Sequence, residues 1–477
     1  MNEKTVKNRD MTSGPLLSRI VLFVLPLVAT NLLQVLYNAA DMVVVSLSTA
    51  PDAVGAIGTT GAFINLVVNI FIGFSTGSNV VVARHLGARD EENAQKAVHT
   101  SILISLLFGI VGGGVGLLCA RPVLTLMGNE GELLRLALIY TRIYFAGVPF
   151  LSLTNYEIAI LRAKGDTKTP LYTLSLAGLL NVMLNLFFVL VCGMSVDGVA
   201  YATVISNVLS AVLLGLKLMR EKGPCRLSLK KLRIHGRAFR DILHIGLPAG
   251  IQGALFSVSN MLIQSSILKV NNALCPPNSE FQPVVKGNAA AANLEGFAYT
   301  ATNAVYQAAI TFTSQNVGAA QYERVKKVMR CCYALTFTIA VLFGGGLLLL
   351  RRPLLSLYGV VPGEEGSLLH IAYETAMTRM FITYIPYFTL AFMEVGSGVV
   401  RGLGHSVTST AVSLVGSCLL RILWIATIFK VFGSLASIYI SYPISWTLTA
   451  LAHFICAMVI IRKYIRTRNQ NLTVSEI

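Results

Sequence analysis

The chain has 477 residues, of which 54% are hydrophobic and 13% charged, with a mean hydropathy of +0.67 and a formal net charge of +16. Soluble globular chains carry about 25% charged residues, so this balance excludes a water-soluble domain and implies an all-α integral membrane protein. The basic excess alone would suit nucleic acid, but it is confined to alternate loops between apolar runs, which excludes nucleic acid as a partner and leaves membrane lipid as the surrounding medium.

Apolar stretches of membrane-spanning length lie at about 16–47, 53–83, 97–118, 133–161, 170–192, 196–219, 241–268, 286–317, 327–350, 369–400, 407–430 and 434–461, twelve in all. The first is too long for a cleaved signal and lacks a small-residue cleavage site, so it is expected to be retained. Within it, LPLVATNLLQVLYNAADMVVVSL (25–47) holds one carboxylate, Asp41. An Asp at the centre of a membrane helix costs about 2.5–3.5 kcal/mol, which marks it as functional. Asn31, Gln34, Tyr37, Asn38 and Asp41 follow the i, i+3, i+4, i+7 spacing and form one polar stripe, as the lining of a wet cavity would.

After the second span, His85-Leu-Gly-Ala-Arg-Asp90 has the HxxxxD spacing of some acyltransferases and is the best argument for an enzyme. In the fifth span Asn181 and Asn185 are one turn apart, and in the sixth Thr203, Ser206, Asn207 and Ser210 share a region. Each set reads equally as interhelical hydrogen-bonding. In the eighth, Glu295 opens a stripe with Tyr299, Thr302, Asn303 and Tyr306, and in the tenth Glu394 precedes Arg401 by seven residues. Glu295 and Glu394 are either coupling carboxylates or halves of ion pairs with Arg379 or Arg421. Glu157, near a helix end, reads as a snorkelling side chain. Gly112–Gly114 and Gly344–Gly346 read as close-packing points in spans three and nine. The eight cysteines form no CxxC and read as core residues, without a metal site or disulfide framework. No nucleotide or metal motif appears, so no cofactor is expected.

The chain repeats itself. TRIYFAGVPF (141–150) matches TRMFITYIPY (378–387) at a shift of 237, setting helix-kinking Pro149 against Pro386. LRAKGDTKT (161–169) matches VRGLGHSVT (400–408) at 239, and RHLGARDEENAQKAV (84–98) matches QNVGAAQYERVKKVM (315–329) at 231. IVLFVLPLVA and DILHIGLPAG place Pro26 against Pro248. Four matches in one order predict two six-helix bundles related by a pseudo-two-fold. The expected organisation is an N-terminal tail (1–15), an N-terminal lobe (16–219), a basic linker (220–240), a C-terminal lobe (241–461) and a C-terminal tail (462–477). The repeat also weakens the enzyme reading, because Asn316 and Gln321 replace His85 and Asp90 while the Gly-Ala turn persists. The segment 271–287, with its adjacent prolines, reads as an external loop.

These residues resemble the multidrug and toxic compound extrusion (MATE) family of secondary antiporters, bacterial type. The likeness is carried by LYNAADMVVV, NYEIAILRAKGDTKTPL, GLLNVMLNLFFV, GVAYATVIS, NLEGFAYTATNAVYQAAITFTSQNVGA and MEVGSGVVRGLGHS. It implies two bundles working by alternating access and export of bulky, often cationic, drug-like compounds in exchange for inward H⁺ or Na⁺. Asp41 matches the family's first-helix coupling carboxylate; Gln34, Tyr37, Asn155, Asn181 and Thr203 match polar positions around the same cavity. Asn185 stands where many members have a second Asp, so the lobe has less anionic charge for Na⁺, a slight lean to H⁺. A transported Na⁺ would sit at Asp41, Asn181, Asn185 and Thr203. The expected coupling set is thus Asp41, Asn181, Asn185, Thr203, Glu295 and Glu394. The expected substrate contacts are Gln34, Tyr37, Asn38, Asn155, Tyr299 and Asn303. The rival reading is a flippase or exporter of a lipid-linked saccharide, whose pyrophosphate would call for several Arg or Lys in the cavity. A monomer in the cell (cytoplasmic) membrane is expected.

The positive-inside rule places both termini and the 217–240 loop in the cytoplasm. Impermeant-thiol labelling of single cysteines at Lys222 and Pro51 is expected from opposite faces of the membrane; labelling of both from one face would contradict the topology.

Overall fold

A computed structural model describes residues 11–46, 53–274 and 281–475, with side chains to 470. The N-terminal tail thus falls largely outside the described residues, as do positions 47–52. Every regular element among those described is helical. The spans are α1 (Leu16–Ser46), α2 (Ala53–Gly87), α3 (Glu91–Leu126), α4 (Gly131–Ala163), α5 (Lys168–Val191) and α6 (Val196–Met219) in the first half. The second half has α7 (Gly236–Leu274), α8 (Pro283–Gly318) and α9 (Tyr322–Leu349). In α10 a break at Pro386 separates Leu368–Tyr384 from Tyr387–Gly402; α11 (Ser406–Phe432) and α12 (Leu435–Ser475) follow.

Ten of the described helices are long and apolar enough to cross a membrane by length and composition. Two spans fall outside that group: α10, whose break at Pro386 leaves pieces of 17 and 16 residues, and α8, rich in Asn, Gln, Thr and Gly besides Glu295. Large apolar side chains such as Leu22, Leu118 and Val191 remain exposed, as a lipid-facing surface requires.

The chain packs as two compact units. One runs to Ala254 and takes in Ser314–Gln321; the other comprises Leu255–Thr313 and the chain from Tyr322 onward. The expected lobe boundary at 220–240 and this division differ, because the first half of α7 packs on α2. A Cβ on Gly246 would stand 2.5 Å from the Phe74 carbonyl oxygen, so the two backbones meet where neither glycine nor carbonyl leaves room for a side chain. The basic linker is docked on α3 by buried polar contacts. The Ser228 amide donates to His99 Nε2 (3.1 Å) and the His235 amide to Thr100 Oγ1 (3.1 Å). Glu221, almost wholly buried, takes an ion pair from Lys164.

Within the first unit the repeat becomes geometry. The end of α2 and the end of α8 make the same turn, with Arg89 (φ 56°) and Ala320 (φ 53°), 231 residues apart, both left-handed. Their hydrogen bonds match: Asp90 N to His85 O (3.0 Å) and Gln321 N to Asn316 O (2.8 Å). The glycines before them are reciprocal. A Cβ on Gly87 would overlap the Gln315 carbonyl, and one on Gly318 would overlap that of Arg84, the repeat equivalent of Gln315. Residue i against j and j against i is the signature of a two-fold contact.

Several expectations need correction. Asn271–Leu274 and Pro283–Gly287 are helical, so the expected 271–287 loop is shorter. The Asn271 side chain accepts from the Val284 amide (3.2 Å) and ties the ends together, and 275–280 lie outside the described residues. Pro149 leaves α4 unbroken, packing its Cα against Gly109, whereas Pro386 interrupts α10. Gly112 and Gly113 do pack closely, on Phe71 and the Phe145 carbonyl, and Gly344 on that of Tyr384. Gly114, Gly345 and Gly346 face open space. The segment 462–470 is helical and continuous with α12.

Gly318→Val should force the α2–α8 contact apart at about 1–3 kcal/mol, the usual cost of overpacking. Gly114→Val, which meets nothing within 4 Å, should be neutral. Thermal midpoints in detergent read this, and equal midpoints for the two variants would contradict the contact.

Candidate functional site

The first unit gathers the polar residues of α1, α5 and α6. Asn185 Nδ2 donates to Asp41 Oδ1 at 2.5 Å and lies 3.3 Å from Asn181 Oδ1; Asn181 Nδ2 reaches Thr203 Oγ1 at 3.5 Å. Thr203 donates back to the Val199 carbonyl (2.9 Å). Asp41, Asn185, Asn181 and Thr203 therefore form one chain of side chains across three helices. Asn185 is fully buried, and its Oδ1 has no hydrogen-bond partner among the described residues. An unsatisfied buried acceptor beside a carboxylate is completed by a proton on the carboxyl or by a bound cation. The donors are carboxylate, amide and hydroxyl oxygens, the set that suits a hard cation. Among the described residues no cluster of three His, Cys, Asp or Glu forms a metal site.

α1 is held to α5 beside this chain. Tyr37 donates to the Ser175 carbonyl (3.1 Å), with its ring seated on Gly178 where no Cβ would fit. Gln34 and Asn38 of the same stripe are exposed. Asn155 turns its amide to the Leu151 carbonyl of its own helix (2.9 Å). A wide turn at Phe187–Val191 follows Asn185 directly, closed by the Cys192 amide on the Phe187 carbonyl (3.1 Å). Such extra-residue turns in helices recur at functional sites.

The second unit holds a different constellation. Arg379 donates to Glu295 Oε2 (2.8 Å) and to Asn288 Oδ1 (2.7 Å), and Tyr439 donates to the same Asn288 oxygen (3.2 Å). Glu295 is thus one half of a buried ion pair, one of its two sequence readings. Asn303 reaches the Tyr299 hydroxyl at 3.5 Å, and Arg401 donates to the Tyr306 hydroxyl. Glu394 is half-buried on the same α10 segment as Arg401.

Sequence reasoning missed three participants. Asn288 and Tyr439 lie on runs with no periodic polar pattern and enter only through tertiary contact. Glu157 does not snorkel: it is 1% exposed, held against Gly215 of α6 with Oε2 unpartnered among the described residues. The tight α4–α6 packing, invisible in a run of aliphatic residues, buries it. The HxxxxD pair is structural. Asp90 caps α3 by accepting from the Asn93 amide (3.1 Å), and His85 stands 3.5 Å away. Those bonds from Asn93 hold the Asp90 carboxyl below its ordinary range.

A multi-pass helical protein whose two halves repeat, with a carboxylate–amide chain in its first bundle, belongs to the class of membrane transporters. The family model described as MatE matches residues 26–187 and 284–427, so the chain belongs to the MATE family, whose members are transporters. It is 28% identical over 407 residues to the "Probable multidrug resistance protein YoeA" of Bacillus subtilis, covering 82% of each chain. It is 23% identical to the "Probable multidrug resistance protein NorM" of Thermotoga maritima, over 83% of this chain and 82% of the relative. Among solved structures, an "outward-facing conformation of a multidrug resistance MATE family transporter of the MOP superfamily" superposes with a TM-score of 0.86 at 20% identity. That match covers 98% of this chain and 100% of the other.

Proposed function

We propose that this chain is a secondary antiporter of the cell membrane that exports drug-like organic compounds in exchange for inward H⁺ or Na⁺. The observation that carries the reading is the Asn185–Asp41 hydrogen bond at 2.5 Å, which joins the sole acid of α1 to α5. Asp41 takes up the cation; Asn181, Asn185 and Thr203 position it. Gln34, Tyr37, Asn38 and Asn155 supply polar contacts to the cargo on the same bundle. Loading Asp41 alters the α1–α5 contact, so cation-bound and drug-bound forms favour different states of the bundle, which is the requirement for coupled exchange by alternating access. Glu295 and Glu394, with Tyr299 and Asn303, are the second candidates for coupling and contact. The names of the relatives, multidrug resistance proteins, favour drug export over the flippase reading.

The driving force is adequate. One proton moving down one pH unit releases about 1.4 kcal/mol, and each 100 mV adds about 2.3. Together these support a gradient of a few hundredfold for a neutral cargo at about 1.36 kcal/mol per tenfold. For a monovalent cation exchanged against one proton the voltage term cancels.

Asp41→Asn keeps the shape of the side chain and removes its charge. The variant should insert normally and bind drug, yet fail to accumulate it against a gradient. Wild-type pumping by Asp41→Asn under a pH or Na⁺ gradient would assign coupling elsewhere, with Glu295 the next residue to substitute.

A further inference from the structure

We propose that Arg421 on α11 is the core of an anion-binding subsite in the second unit, which takes the carboxylate or phosphate group of an aromatic cargo. This rests on the transport reading and narrows the cargo it accepts. Arg421 is 5% exposed within a membrane span. Its Nε donates to Ser445 Oγ (2.8 Å), and that hydroxyl is itself spent on the Tyr442 carbonyl (2.8 Å). The guanidinium carbon lies 4.3 Å from the Tyr442 ring centroid and 5.8 Å from that of Trp446. Among the described residues no carboxylate pairs with it, and neither terminal nitrogen has an acceptor. A guanidinium has five N–H donors in a fixed fork, so four are left unused. Ring faces and one hydroxyl hold the cation without supplying the opposite charge.

The neighbouring charges do not supply it either. Arg379 is the other cation at this place, 5.7 Å from the same Tyr442 ring, and Glu295, the nearby carboxylate, is already committed to it. Two guanidinia thus share one aromatic ring and one carboxylate, which leaves a net positive charge in a low-dielectric interior. Intramembrane charges pair with one another or mark a substrate path. The free fork matches a carboxylate or phosphate bidentately, and Tyr442 and Trp446 offer faces for an attached ring.

The repeat sharpens the point. At the shift of 239, Arg421 falls against Val182, beside Asn181. In α11 a wide turn (Leu414–Leu419) comes just before Arg421, as one in α5 comes just after Asn185. Arg421 thus stands one residue from Leu420, the repeat equivalent of Asn181, so the second half carries a cation next to that register.

The test uses the full chain in phosphatidylcholine nanodiscs with 2-naphthoate and its neutral counterpart 2-naphthamide as probes. Trp446 is one of two tryptophans, so its emission is read alone in a Trp424→Phe background. Naphthoate should quench Trp446 with an affinity at least about tenfold above that of naphthamide. Arg421→Gln should abolish that preference and Arg421→Lys should restore part of it, with each variant eluting as wild type. Equal affinities for acid and amide in the unsubstituted site, or an undiminished preference in Arg421→Gln, would overturn the proposal, and the first result needs no variant to fold. Adding phosphatidylglycerol separates cargo from lipid headgroup. A loss of naphthoate affinity beyond the about threefold expected from surface potential would assign the site to lipid and overturn it. Naphthoate binding should survive Asp41→Asn, so a failure here leaves the coupling reading standing, and a failure of coupling leaves this one.

Discussion

Every backbone polar group placed in hydrocarbon must be satisfied within the protein, and the architecture follows from that constraint. Helices satisfy the backbone. Most hydroxyls are returned to their own helix: Thr30 donates to the Pro26 carbonyl (2.7 Å), Ser101 to that of Ala97 (2.7 Å), Thr311 to that of Gln307 (3.0 Å). Such side chains are solvated locally and ask nothing of neighbouring spans. The side chains that reach between helices include the Asp41–Asn185–Asn181–Thr203 and Glu295–Arg379–Asn288–Tyr439 networks, and pairs such as Ser413–His453 and Ser417–Thr449. With lipid as apolar as leucine, the helices themselves are held by close packing, which is why α2 meets α7 and α8 through glycines at carbonyl distance.

The two halves share a backbone and divide the chemistry. The turns at Ala88–Arg89 and Ala319–Ala320 match in dihedral and hydrogen bond, although His85 and Asp90 in one become Asn316 and Gln321 in the other. α5 and α11 both carry an extra-residue turn beside their polar group. In the first unit that group is an amide serving a carboxylate; in the second it is a guanidinium over an aromatic ring. The proposed cation site and the proposed anion subsite therefore rest on groups of opposite charge in the two halves.

The helices, their number and the repeat were legible in sequence because each rests on local information: runs of apolar residues, basic loops and recurring strings. The α1 stripe was legible for the same reason, since helical spacing alone puts Tyr37 and Asp41 on one face. Interhelical partners were not. Nothing in GLLNVMLNL says that Asn185, rather than Asn181, donates to Asp41. That depends on how α5 rotates against α1, which the seat of Tyr37 on Gly178 decides. Glu157 and Arg421 illustrate the same limit, one buried against a glycine and the other stacked on an aromatic ring of the next helix. An ion pair of Glu295 with Arg379 or Arg421 was readable as one alternative, and the fold selected Arg379, 84 residues away in sequence.

The proposed role of the Asp41–Asn185 contact is to tie export to an ion gradient. Ethidium uptake into everted vesicles containing the purified chain, energised separately by a pH gradient and by a Na⁺ gradient, tests this most directly. Accumulation driven by at least one gradient, and abolished when both are collapsed, is the predicted result. Accumulation that persists with both gradients collapsed would contradict ion-coupled exchange.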